Sequence, residues 1–122
     1  SDCFTDVAAL ADLRPDAVVD FAGVGSTTSA AVDVVRRRGR VVVVGLGTRT
    51  TSFATGNLIR KSVELRGSYG AGKDEYRQVL DFIAQGRIEP VVEEISFADL
   101  NEGLDRIRRG AVRGRLVVRP GK

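Results

Sequence analysis

The chain has 122 residues, 43% of them hydrophobic, and a net charge of +3, which suits one small domain or a piece of a larger one. With no histidine and one cysteine, Cys3, it cannot assemble an ordinary zinc site, a Ser-His-Asp triad or an internal disulfide from its own side chains. No apolar run approaches the roughly 20 residues that span a bilayer, and Ser1-Asp2-Cys3-Phe4 lacks the pattern of a signal peptide, so a cytoplasmic setting is expected.

Val7, Leu10 and Leu13 recur at threes and predict a weak helix in residues 1–15, ended by Pro15. Ala17-Val18-Val19-Asp20-Phe21-Ala22 reads as a strand that is apolar on both faces, as a buried parallel strand requires. Gly23-Val24-Gly25 turns the chain. Ser26 is then placed to cap a helix running to about Arg38, with Ala30, Ala31, Val34 and Val35 on its inner face and Gly39 as its stop. Val41 to Val44 is uniformly β-branched and predicts a central strand, parallel to the first.

Leu58 and Ile59 mark a short helix, and the alternation in Val63-Glu64-Leu65-Arg66 marks an outer strand. Tyr76, Val79, Leu80 and Ile83 form one stripe of a helix over residues 74–85, ended by Gly86. A short strand from Val91 to Ile95 follows. Ser96-x-x-Asp99 then resembles a capping box, opening a helix that should bury Leu100, Leu104 and Ile107. Leu116-Val117-Val118 is a last strand before Pro120. The fold class is therefore α/β, a partial parallel sheet with flanking helices.

Three strands end on glycine: Phe21-Ala22-Gly23, Val44-Gly45 and Arg66-Gly67-Ser68-Tyr69-Gly70. Strand ends free of side chains along one carboxyl edge suit a flat dinucleotide. Gly23-Val24-Gly25-Ser26-Thr27-Thr28 occupies the place of a dinucleotide fingerprint, but Thr28 stands where the third glycine would be. The next strand ends in Gly45-Leu46-Gly47, with no acid to hold a ribose. Arg49 meets a 2′-phosphate only if this is the first unit of the sheet; a later pair of strands is the preferred reading. The run Arg36-Arg37-Arg38-Gly39-Arg40 falls at a helix end, where cations are favoured. Nucleic-acid binding would need more basic surface and aromatic platforms than 5 Phe and 2 Tyr provide.

Asp16-Ala17-Val18-Val19-Asp20 leading to Gly23, then Gly39 to Gly45, then Leu65 to Tyr69, resembles the medium-chain dehydrogenase/reductase family of zinc alcohol dehydrogenases and their relatives. Gly86-Arg87-Ile88-Glu89-Pro90, Phe97 to Leu104, and Gly114 to Val118 continue the likeness over nearly the whole chain. The resemblance implies the second half of a Rossmann domain in residues 1–90. It also implies a tail, residues 91–122, that returns to a catalytic domain. That domain, with any zinc ligands, and the first phosphate-binding strand are not in this chain. The implied parent passes hydride between an alcohol or carbonyl compound and NAD or NADP.

The same resemblance implies that Phe21, Ala22 and Gly23 lie near the adenosine side of the cofactor. Val44, Gly45 and Leu46 would lie against ribose and nicotinamide, and Gly67, Ser68 and Tyr69 would offer backbone groups to the carboxamide. Arg113 would reach the phosphates. In family dimers a segment near Thr51-Ser52-Phe53 pairs edge to edge, so the resemblance implies a homo-oligomer that pairs through this edge. The alternative from another class is a non-catalytic α/β module for interaction or self-association. On the enzyme reading, the purified 122-residue chain should show no alcohol oxidation, and measurable turnover would refute that expectation.

Overall fold

The computed structural model describes residues 6–119, so the expectations for Cys3 and Pro120 lie outside the described residues. These residues form two compact units that divide after Gly70. This division rests on compactness, whereas the expected boundary after residue 90 comes from the family resemblance.

In the first unit, β1 (Ala17–Asp20), β2 (Arg40–Val43) and β3 (Glu64–Gly67) form a parallel sheet in the order β1-β2-β3. The β-branched strand is central, as its composition demands. Helices α1 (Ser26–Val34) and α2 (Thr55–Lys61) provide the crossovers. The core is small: Ala31, Val32, Val35 and Val41 are fully buried, with Val18, Val43, Phe53, Leu58 and Val63 packed round them.

The two faces of this sheet differ. Side chains alternate along a strand, so Val18, Asp20, Val41 and Val43 share the face that α1 covers. Val19, Val42, Arg40, Glu64 and Arg66 share the other, and within this unit it is open, with Val19 49% exposed. The expected burial of β1 on both faces is therefore corrected to burial on one. Arg40 and Arg66 flank Glu64 on the open face, at 2.9 and 3.5 Å.

Several boundaries also move. Threefold spacing is the period of a 3₁₀ helix, and Val7–Leu10 is one such turn rather than a longer helix. Helix α1 stops at Val34, because Val35 is extended (φ −59°, ψ 142°) to bring its side chain into the core. Arg36 to Arg38 therefore lie beyond the helix. Lys61 instead serves its end, donating through Nζ to the Asp33 and Val35 carbonyls. The left-handed residue here is Arg38 (φ 58°). Gly39 does not stop the helix but fits a tight gap, where a Cβ would lie 2.4 Å from Val35 Cγ2.

The second unit contains α3 (Lys73–Ala84), β4 (Val92–Ile95), α4 (Leu100–Arg108) and β5 (Arg115–Val118), with β4 and β5 parallel. Helix α4 does not bury Leu104 and Ile107, which are 43% and 53% exposed. Two strands spaced about 5 Å apart give a narrow floor, and the helix meets it through Gly103, whose missing Cβ would sit 2.6 Å from Ile95 Cδ1. Arg106 adds a two-pronged pair to Glu93, at 2.7 and 2.8 Å, which holds that carboxyl below its usual range.

The capping box is only half formed. Asp99 N–H donates to Ser96 Oγ at 3.2 Å, but the Ser96 hydroxyl donates to the Asp99 carboxylate at 2.6 Å. Asp is one methylene shorter than Glu and meets the hydroxyl instead of completing the box. The helix itself starts after Asp99.

The contrast between the sheet faces is testable by denaturant unfolding. Val41→Ala removes buried methyl groups and should cost about 2 kcal/mol, whereas Val19→Ala on the open face should change stability by less than about 0.5 kcal/mol.

Candidate functional site at the carboxyl edge

The parallel register sets Asp20 beside Val43, and Val43 beside Gly67. The chain following each strand therefore reaches one edge, bringing together Phe21-Ala22-Gly23, Val44-Gly45-Leu46 and Gly67-Ser68-Tyr69. Arg113 lies in the second unit, in the turn before β5, with its side chain exposed.

The glycines along this edge do different jobs. A Cβ on Gly23 would lie 1.9 Å from the Gly45 carbonyl oxygen, and one on Gly45 would lie 2.3 Å from the Phe21 carbonyl oxygen. These residues are bare because two loops stack backbone on backbone. Thr48 N–H donates to the Gly23 carbonyl at 2.9 Å, closing the stack. Gly67, by contrast, has nothing within 4 Å of its Cβ position. There the missing side chain leaves open space at the strand end.

Gly25 makes a positive-φ γ-turn (φ 76°, ψ −56°), with Ser26 N–H donating to the Val24 carbonyl at 2.8 Å. Its own carbonyl accepts Ser29 N–H at 2.9 Å, starting α1, and the Thr51 hydroxyl at 3.0 Å. Gly25 rather than Ser26 is thus the N-cap, and no side chain caps the helix. Thr51 is tied within its own chain, and Phe53 packs on the core.

Beneath the edge lies a carboxylate whose role sequence reasoning missed. Asp20 is only 6% exposed. Its Oδ1 accepts the N–H groups of Ala22 (3.1 Å) and Gly23 (2.9 Å), and the Thr27 hydroxyl reaches both carboxylate oxygens. The Thr28 hydroxyl donates to Oδ2 at 2.7 Å. Burial is the largest single influence and pushes the Asp20 carboxyl up, but the donors from Gly23, Thr28, Thr27 and Ala22 together outweigh it and hold the group below its ordinary value. Thr28, the residue in place of a third glycine, completes this bracket. The available signal was an acid closing an apolar strand, with threonines seven and eight residues on.

Above the bracket is a cleft of about 250 Å³, with Gly23, Gly45, Leu46, Thr48, Arg49 and Leu65 among its lining. Phe21, Leu46 and Tyr69 are 76%, 81% and 101% exposed, so each loop presents a large apolar side chain. Ser68 N–H is engaged by the Val43 carbonyl at 2.9 Å, which leaves Ser68 its carbonyl and hydroxyl to offer a ligand. Among the described residues no group of three or more His, Cys, Asp or Glu side chains could hold a metal. No helix among them is long and apolar enough to cross a membrane.

A parallel sheet with helical crossovers and loops gathered at its carboxyl edge is Rossmann-like, and comparison with known proteins agrees. Residues 2–85 match the zinc-binding dehydrogenase family, to which the chain belongs. An alcohol dehydrogenase of Geobacillus stearothermophilus is 30% identical over 89 residues, 73% of this chain and 26% of that protein. Alcohol dehydrogenase 1 of Neurospora crassa is 33% identical over 112 residues, 90% of this chain and 31% of its own length. The acetophenone reductase of Geotrichum candidum, solved in complex with NAD, superposes with a TM-score of 0.81 at 30% identity, covering 86% of this chain and 31% of that one. The chain therefore spans about a quarter to a third of the length of these relatives.

Two stability measurements check the site's construction. Gly45→Ala forces a Cβ into backbone and should cost at least about 2 kcal/mol, while Gly67→Ala should stay within about 0.5 kcal/mol. Asp20→Asn should cost about 1–3 kcal/mol at pH 7. Because the native Asp20 carboxyl titrates below its reference value of 3.8, its contribution is present above that pH and is lost as pH falls through the native value. The stability gap between wild type and Asp20→Asn should therefore close on acidification below about pH 4; a gap constant from pH 6 to pH 2 would refute the assignment.

Proposed function

We propose that this chain is the nicotinamide-side part of the cofactor-binding domain of an alcohol dehydrogenase-like oxidoreductase that uses NAD or NADP. The single observation that carries the reading is the gathering of three loops at one carboxyl edge beside open space at Gly67. The bound cofactor would accept or deliver hydride.

The residues here fit such a group. Phe21, Val44 and Leu46 offer exposed apolar surface against which flat rings can lie, and Gly67 lets a ligand approach the strand end closely. Ala22 and Gly23 form the turn on the adenosine side, with Gly45 in the loop against which that turn stacks. Ser68 and Tyr69 border the carboxamide position, and Arg113 is the candidate phosphate contact from the tail. In this reading residues 91–122 are the segment returning to a catalytic domain, and that domain supplies the acid or zinc chemistry. The chain by itself binds cofactor weakly and does not turn over substrate. Thr51 to Phe53 is the candidate edge for self-association, alongside the missing catalytic domain as a partner.

Titration of the 122-residue chain with NADH, read on backbone amide signals, tests this. Shifts concentrated at Gly23, Gly45 and Gly67 are expected. No shift at millimolar NADH and NADPH would instead favour the non-catalytic module. Clear NADPH preference, abolished by Arg49→Ala, would favour the reading in which Arg49, at the cleft, meets a 2′-phosphate.

A further inference from the structure

Of the three loops at the carboxyl edge, one residue holds the first two. The Asp20 side chain takes the amides of Ala22 and Gly23 in the first loop. Its main-chain carbonyl takes the amides of Val44 and Gly45 in the second, at 2.9 and 3.0 Å. The bracket is braced from α1 by the Thr27 and Thr28 hydroxyls, so the carboxylate joins strand, turn and helix.

Its reach extends to the stack of the loops. Gly23, oriented by Asp20, accepts Thr48 N–H through its carbonyl and lies against the Gly45 backbone with no space for a Cβ. A shift of the first loop must therefore move the second, because neither has slack to absorb it. The carboxylate itself is 6% exposed and lies under the turn, so its influence on anything bound above passes through these loops.

We propose that Asp20 is the positioning residue of the nucleotide-facing edge, holding the Phe21–Gly23 turn and the Val44–Thr48 loop in the conformation that receives the dinucleotide. This rests on the cofactor reading above. Asn at this position keeps the volume but replaces one acceptor oxygen with an N–H donor, which confronts hydroxyls and amides that all donate. Thr27→Val keeps the carboxylate and shape but removes one brace, and Thr27→Ser restores the hydroxyl.

The test compares wild type, Asp20→Asn, Thr27→Val and Thr27→Ser by two measurements on the 122-residue chain. These are hydrogen exchange at the Ala22 and Gly23 amides, and NADH affinity from amide shifts. Exchange should accelerate and affinity fall, each by about tenfold, in Asp20→Asn, with a smaller change of the same sign in Thr27→Val. Thr27→Ser should return both towards wild type, and the Val35 amide, bonded to Ala31 in the core, should stay protected throughout. If Asp20→Asn does not fold, the Thr27 pair decides. Faster exchange with unchanged NADH affinity would make Asp20 merely structural and overturn the proposal, as would unchanged exchange. A wild-type chain whose edge amides ignore NADH overturns the cofactor reading itself, and this proposal with it.

Discussion

The first unit depends on one buried carboxylate and the donors that converge on it. Asp20 closes β1 at the point where the chain must leave the sheet, turn and enter α1. A charged group 6% exposed is tolerable only if its oxygens are satisfied, and two backbone amides and two hydroxyls do this. The same set of bonds fixes the turn and aligns the first residues of the helix. The consequence is a loop without ordinary side-chain capping that is nevertheless held at both ends.

Around that carboxylate the glycines divide into two kinds. Gly23 and Gly45 allow two backbones to touch, and their lack of side chains is consumed inside the fold. Gly67 opens onto space and leaves the strand end accessible. A row of glycine-ended strands thus carries two messages that look alike in one dimension. Close approach stiffens the floor, and open space leaves the strand end accessible.

The two units also use charge and apolar surface differently. In the first, the helices cover one sheet face and an Arg40-Glu64-Arg66 arrangement marks the other. In the second, α4 sits on β4 and β5 through a glycine and a two-pronged Arg106–Glu93 pair, while the apolar stripe of α3, including Tyr76 and Leu80, is exposed. Both curated alcohol dehydrogenases are about three times as long as this chain.

The order and type of the elements, the central position of β2, the edge position of β3 and the convergence of three strand ends were all legible in the residues. They follow from local periodicity and from the turn residues between runs, which act within a few positions of chain. The family was legible for the same reason, since its motifs are those strand ends. Which face of β1 is buried, where α1 stops, and how Leu104 and Ile107 stand depended on what else is packed nearby. So did the role of Asp20. The residues alone run the strand through Asp20 to Ala22, and only the fold shows Asp20 ending β1 with Thr27 and Thr28 donating to its carboxylate. Local sequence determined the strands and their ends; only tertiary packing decided which bare backbone touches backbone, because close approach is a property of pairs distant in the chain.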